Sequence, residues 1–348
     1  MKNNDTVKDL INKFKIPKRL ILFKTNKGFA VSSDSLDILK KLPNDSIDLI
    51  VTSPPFGLIG KKKYGNFREE EYILWFLEFA QEFKRVLKEN GSCVIDIGGT
   101  WETGYPVKSL YETRLLLRLV DEIGFNLAQE FFWWNPSRLP SPAEWVTKRR
   151  VRVKDSINKI WWLSKSKWPK SDNLRILEPE KPSMALLRKK GYNDGKRPSG
   201  HRIGTKSFFT KTKGSIPSNL IAVANTGNDR FYTDYCKEKD LEIHPARFPE
   251  DIPEFFLRFL TNKNDIILDP FAGSCTTGAI AERLDRRWIN IEIQKHYLEG
   301  GEIRFSEDYK KIKKRKKTFL DYKIKRPGSI WNLLGDKKIR SDGGKNYK

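Results

Sequence analysis

At 348 residues the chain is long enough for a sizeable core, in one large domain with an insertion or in two domains, which excludes a stapled miniature scaffold. Lys and Arg outnumber Asp and Glu by 67 to 44, a formal charge of +23 that favours a polyanionic partner, although a lysine-rich proteome would give the same excess. Its 3 cysteines, Cys93, Cys236 and Cys275, are odd in number and widely spaced, which excludes a disulfide framework and a zinc cluster, and no run is apolar for long enough to span a bilayer. A reducing cytoplasm is the expected compartment, with no membrane anchor and no export.

In chain order, strands alternate with helices through the first third, the pattern of a wound α/β sheet. Ile47 to Thr52 reads as an apolar strand ending at Pro54-Pro55. From Glu69 to Lys88, helical spacing places Tyr72, Trp75, Phe76, Phe79, Phe83, Val86 and Leu87 on one face. Glu69, Glu70 and Glu71 suit the dipole of its first turn, and Asn90-Gly91 is the expected stop. Cys93 to Ile97 reads as a buried strand ending at Gly98-Gly99, followed by a helix from about Leu110 to Glu122 and a strand from Glu130 to Trp134. The aromatic and aliphatic residues of both helices are assigned to the core, with no chemistry claimed for them.

From about Pro140 to Leu241 periodicity fades, Pro and Gly multiply, and cations concentrate in Lys148-Arg149-Arg150-Val151-Arg152-Val153-Lys154 and between Arg188 and Lys213. In the second stretch Lys196, Arg197 and Arg202 stand among glycines and the aromatic residues Tyr192, His201, Phe208 and Phe209, with Asp194 as the lone acid. A loop-rich surface for phosphates and bases has this composition, as does a flexible solvated loop. Regular structure resumes with a short helix at Pro253 to Leu260 and the strands Ile266-Ile267-Leu268 and Trp288 to Ile293. Lys310 to Lys317 opens a basic tail suited to nonspecific phosphate contact or to solubility, and no internal repeat is present.

Two motifs carry chemistry. In Asp269-Pro270-Phe271-Ala272-Gly273-Ser274-Cys275-Thr276-Thr277-Gly278, a strand runs through a small-residue turn into a helix. Free backbone N–H groups remain at the helix N-terminus, and Gly273 lets a ligand approach the main chain. Glu292, about twenty residues on at the end of the next strand, is placed to bind ribose hydroxyls, so the set fits an adenosine-containing cofactor. No Lys-Ser or Lys-Thr follows the glycines, which excludes a triphosphate loop. In Thr52-Ser53-Pro54-Pro55-Phe56 the prolines lack N–H donors and present carbonyl oxygens beside the Ser53 hydroxyl, while Phe56 can stack on a planar ring. Acceptors around an exocyclic amine favour a pyramidal nitrogen with an available lone pair. Taken alone, this second motif also fits a strand terminator with a core Phe.

Together the motifs resemble those of the amino-methylating DNA methyltransferases, with the catalytic motif first and the cofactor motif last as in the beta group. Ser53 in place of Asp is similar to the cytosine-N4 branch, and the likeness extends from Ser33-Asp34-Ser35-Leu36 to Glu292, including Asn135-Pro136-Ser137 and His244 to Pro249. Cys275 departs from the pattern, since Gly is commoner there.

The resemblance implies a doubly wound, mostly parallel α/β sheet with a loop-rich target-recognition insertion. It divides the chain into a catalytic half at 20–139, a recognition region at 140–243, a cofactor half at 244–305 and a basic tail at 306–348. It implies S-adenosyl-L-methionine bound by Asp34, Asp269, Phe271, Gly273, Ser274, Glu292 and Arg247. A cytosine flipped from double-stranded DNA would be held by Ser53, Pro54, Pro55 and Phe56, with Lys148, Arg149, Arg150, Arg152, Lys196, Arg197 and Arg202 on the DNA and no metal. A restriction endonuclease is the implied functional partner, and the oligomeric state stays open between monomer and weak dimer. Adenine-N6 methylation and a DNA-binding protein without turnover are the alternatives. Methylation at cytosine C5 is set aside because Ser92, Tyr235 and Ser274, not proline, precede the cysteines.

Overall fold

The computed structural model describes residues 7–56, 69–179, 186, 214–225 and 229–315. Its strands are β1 (Ile21–Lys24), β2 (Gly28–Ser32), β3 (Ile47–Thr52), β4 (Leu87–Ile97), β5 (Asn126–Trp134), β6 (Ile157–Ser164), β7 (Leu220–Ala222), β8 (Ile266–Asp269) and β9 (Arg287–Glu292). They form one 9-stranded sheet in the order β1-β2-β9-β8-β3-β4-β6-β5-β7. The run from β2 to β4 is parallel throughout, β6 is antiparallel to both of its neighbours, and β1 turns back on β2. This is the doubly wound, mostly parallel α/β sheet that the sequence motifs imply.

The helices are α1 (Val7–Lys13), α2 (Ser35–Leu39), α3 (Glu69–Val86), α4 (Tyr111–Asp121), α5 (Arg230–Glu238), α6 (Asp251–Leu260), α7 (Thr276–Arg283), α8 (Lys295–Gly301) and α9 (Glu307–Arg315). Strand alternation assigns them to faces. Trp161 and Leu163 of β6 join the core built by Phe76, Phe79 and Phe83 of α3, with Leu115 and Leu119 of α4 behind. The intervening Trp162 points the other way and packs edge-on against Phe259 of α6, ring centroids 5.0 Å apart. Truncating one of these buried rings to Ala would cost about 3–5 kcal/mol.

Two expectations about local structure need correction. Helix α3 ends at Val86, and β4 begins at once with Leu87, running through the Asn90-Gly91 pair expected to stop the helix. Ile47 pairs with Leu87 but Leu49 with Ser92, so the extra residues form a bulge. A Cβ on Gly91 would lie 2.9 Å from the Lys88 carbonyl oxygen, so the bulge needs glycine. Second, the stretch from 140 to 241 is not loop throughout. It contains β6, which pairs with β4 and β5 inside the sheet, together with β7 and α5. Because Ile160, Trp161, Trp162 and Leu163 are all buried, β6 has no polar alternation to mark it.

The chain divides into two compact units, residues 1–175 with 218–316, and residues 176–217 with 317–348. The first holds the sheet and its helices. In the second, Glu178 and Ser215 exchange backbone hydrogen bonds of 2.8 and 2.7 Å.

Candidate active site

Strands β3 and β8 lie side by side and parallel, Ile50 opposite Leu268, but β3 is followed by α3 on one face and β8 by α7, packed with α6, on the other. A sheet that reverses direction in this way opens a crevice beyond the carboxyl ends of the two strands. Thr52 Oγ1 donates to Asp269 Oδ1 at 2.8 Å and ties the strand ends together, and the Phe271 N–H reaches the same oxygen at 3.2 Å. Burial pushes the Asp269 carboxyl up to about 6, against the pull of these donors.

The turn after β8 forms a cradle. Gly273 has φ +48°, and a Cβ there would stand 2.9 Å from Nε2 of His244, so the ring of His244 closes over the glycine. The Gly273 N–H donates to Glu292 Oε2 at 2.8 Å, and the Gln294 N–H donates to Glu292 Oε1 at 3.0 Å. The carboxylate that ends β9 is thereby fixed, with further lone pairs left for hydroxyl donors. Burial raises the Glu292 pKa while those two N–H groups lower it. Cys275, next but one, adopts φ +61°, the left-handed conformation that explains why glycine suits this position. Across the crevice Asp34 caps α2, accepting from the Leu36 N–H at 2.8 Å, and the Ser35 hydroxyl donates to the Pro270 carbonyl.

At the end of β3 the Ser53 hydroxyl donates to Asp96 Oδ2 at 3.0 Å. Asp96 is a buried carboxyl on β4, held from behind by Asn158 Nδ2 at 3.2 Å, and Arg138 donates in turn to Asn158 Oδ1 at 2.9 Å. Burial raises the Asp96 carboxyl to about 7, with Asn158, Ser53 and Arg138 pulling it down. The Phe56 ring lies on Gly98, where a Cβ would meet ring carbons at 2.7 Å.

One cavity of about 280 Å³ joins the two halves. Asp34, Ser53, Pro54, Pro55, Phe56, Asp269, Phe271, Gly273, Ser274 and Glu292 all line it. Arg247 does not. It stands behind the wall, paired with Asp229 at 3.0 Å and donating to the His244 carbonyl at 3.0 Å, so its expected cofactor contact is replaced by support of a neighbour. Of the expected DNA contacts, Lys148 and Arg149 share Glu144 at 3.2 and 3.0 Å, and Arg152 pairs with Asp155 at 3.1 Å. Arg150 has φ +56° in the turn between them. Lys196, Arg197 and Arg202 lie outside the described residues.

Sequence reasoning missed several members of the site. Asp96 had a signal, a lone acid inside the apolar strand Cys93 to Ile97, whereas Asn158 had none, because β6 itself went unseen. Trp75 and Phe79, assigned wholly to the core, also line the cavity and hold Phe271 at ring distances of 5.7 and 5.1 Å. Among the described residues no cluster of His, Cys, Asp and Glu could hold a metal ion. The thiols of Cys93, Cys236 and Cys275 are all buried and raised by desolvation, Cys275 to about 12, which disfavours a thiolate for attack on a ring.

A nucleoside cradle and an amine-accepting turn facing one cavity, at the switch point of a doubly wound sheet, define a methyltransferase of the amino-methylating class. The chain belongs to the DNA methylase family, whose model matches residues 47–305. It is 46% identical over 303 residues to the type II methyltransferase M.PvuII of Proteus hauseri, covering 86% of this chain and 89% of the relative. It is 28% identical over 300 residues to the DNA adenine methyltransferase YhdJ of Escherichia coli K12, covering 82% and 87%. The solved structure of a cytosine-N4-specific PvuII DNA methyltransferase superposes with a TM-score of 0.68 at 40% identity, over 84% of this chain and 93% of that one.

Proposed function

We propose that this chain transfers a methyl group from S-adenosyl-L-methionine to the N4 amine of a cytosine flipped out of double-stranded DNA at a specific sequence. The observation that carries the reading is the meeting in one cavity of the Gly273–Glu292 cradle and Ser53, whose hydroxyl is backed by Asp96. The likeness to a cytosine-N4-specific enzyme favours cytosine over adenine. When bound, the cofactor supplies an electrophilic methyl carbon on a sulfonium.

The chain's own residues do the rest. Glu292 holds the ribose, the Gly273 turn approaches the cofactor with its backbone, and Phe271, braced by Trp75 and Phe79, forms an apolar wall that excludes water. Phe56 stacks on the base, and Ser53 Oγ with the Pro54 carbonyl accepts the amine hydrogens, which favours a lone pair directed at the methyl group. As the N–C bond forms and the C–S bond breaks, the nitrogen must shed one proton. Ser53 Oγ takes it and passes its own to Asp96 Oδ2, whose carboxyl at about 7 is poised for such an exchange near neutral pH.

Target recognition falls to residues 176–217 together with the exposed basic turn at 148–154, while β6 belongs to the catalytic sheet. Residues 20–139 and 244–305 supply the catalytic and cofactor halves; the basic tail expected from 306 opens instead with α9, whose buried Tyr309 accepts from Arg304. The enzyme works in the cytoplasm as a monomer or weak dimer, protecting DNA from a partner restriction endonuclease. Mass spectrometry of nucleosides from DNA treated with enzyme and labelled cofactor tests the reading. N4-methylcytosine is expected, with turnover by Ser53→Ala reduced far more than its DNA binding. N6-methyladenine as the main product would reassign the base, and an unlabelled digest of DNA carrying the enzyme's site would leave a binding protein.

A further inference from the structure

We infer that Arg304, which does not line the cavity, is the positioning residue that holds the cofactor turn in its binding shape, an inference that rests on the assignment of this cavity to S-adenosylmethionine. The turn is strained. Gly273 and Cys275 both have positive φ, +48° and +61°, and for a residue with a side chain such as cysteine the left-handed state is unfavourable unless its surroundings fix it.

Arg304 supplies that fixing. Its Nε donates to the Ser274 carbonyl at 2.7 Å and its Nη2 reaches Ser274 Oγ at 3.3 Å, on the residue between the two left-handed positions. The guanidinium is anchored from behind as a fork, Nη1 and Nη2 donating to Asp229 Oδ1 and Oδ2 at 2.8 and 2.6 Å, with Nη1 also on Tyr309 Oη at 2.7 Å. It lies over the Tyr232 ring at 4.6 Å and is 3% exposed. Gly301 makes the approach possible, since a Cβ there would stand 2.9 Å from Cys275 Sγ and 3.0 Å from the Ser274 carbonyl.

The same anchor reaches the opposite wall. Asp229 also pairs with Arg247, Arg247 donates to the His244 carbonyl, and the His244 N–H donates to Tyr232 Oη at 3.1 Å. His244 covers Gly273, so a closed circuit runs from the turn through Arg304, Asp229, Arg247 and His244 back to the turn. The circuit accounts for a cysteine at position 275: a guanidinium forked onto Asp229 and donating through Nε to the Ser274 carbonyl stabilises a turn that glycine would adopt unaided.

Lysine keeps the charge at 304 but loses the planar fork. The test measures S-adenosylmethionine affinity by calorimetry in Arg304→Lys, Asp229→Asn and Arg304→Lys with Cys275→Gly, alongside turnover at saturating cofactor and DNA affinity. Arg304→Lys and Asp229→Asn are expected to weaken cofactor binding about tenfold, or about 1.4 kcal/mol. Turnover at saturation and DNA affinity should stay within about twofold. In the Cys275→Gly background the loss caused by Arg304→Lys should shrink to about threefold, a coupling that generic core damage would not produce. Wild-type cofactor affinity in Arg304→Lys and Asp229→Asn overturns the inference, as does an undiminished loss in the Cys275→Gly background. If Arg304→Lys fails to fold, Asp229→Asn with and without Cys275→Gly decides by the same criteria. Wild-type protein that binds no S-adenosylmethionine would instead overturn the cofactor assignment and, with it, this inference.

Discussion

At the scale of single residues, the proposed role of Asp96 binds catalysis and stability to one titration. Its carboxyl sits at about 7, against an ordinary value of 3.8. Below about pH 4 the group is neutral in the folded and unfolded chain alike, and its burial carries little penalty. As pH rises from 4 to 7 only the unfolded chain releases the proton, so stability from this group is lost progressively; above 7 the whole cost of a buried carboxylate stands. Asp96→Asn removes the titration. The variant should therefore melt above the wild type at pH 8, with the gap closing toward pH 5 in calorimetric scans. Its turnover should fall by about 10²–10⁴, and the rise of wild-type activity through pH 7 should vanish. The amide explains the loss: with its oxygen kept toward Asn158, its NH₂ faces Ser53 and donates where the carboxylate accepted. A melting advantage that does not change with pH would contradict this account. The cavity residues Ser53, Phe56 and Glu292 were legible in the sequence because strand-end motifs mark them. Asp96 and Asn158 act from neighbouring strands, and their partnership depends on a register that one sequence does not display.

Among the elements, those with clear periodicity or punctuation were legible. Helix α3 announced itself by its spaced aromatics and opening glutamates, and α7 by the turn before it. Strand β6 was hidden, because a strand buried on both faces has no alternation and this one lies between cationic turns. The turn before it has its own test. Lys148, Arg149 and Arg152 are exposed or partly exposed cations held by Glu144 and Asp155. Surface pairs of this kind are worth about 0–1 kcal/mol, so a phosphate can displace the carboxylate at little cost. Neutralising Arg149, Arg150 and Arg152 should weaken DNA binding and flatten the plot of log affinity against log salt by about one unit of slope for each phosphate that is no longer neutralised. Glu144→Gln should act in the opposite sense by freeing Lys148 and Arg149. Fluorescence anisotropy across a salt series measures both, and an unchanged slope in the triple variant would place the turn away from DNA.

On the scale of the whole molecule, the proposed function assigns the chemistry and the reading of sequence to different parts of the chain. Every residue lining the cofactor cavity lies in the unit formed by residues 1–175 and 218–316. Within the segment 176–217, Glu178 and Ser215 pair through both backbone groups, and Gly214 approaches so closely that a Cβ would lie 2.2 Å from the Glu178 carbonyl oxygen. Because the ends of the segment are already adjacent, closing it with a short link adds little loop entropy, about 0.6 kcal/mol for each doubling of length. Replacing residues 180–213 with a short Gly-Ser link, and keeping Glu178 and Gly214, should give a folded protein that binds S-adenosylmethionine as the full chain does. Bound cofactor should raise its melting temperature as it does for the wild type, since the shift depends only on ligand concentration over dissociation constant. Site-specific methylation should be lost, with residual DNA binding that is weak and indifferent to sequence. Cofactor binding lost along with specificity would show that the excised stretch shapes the cavity, and specificity retained would move recognition to the sheet and the basic turn before β6.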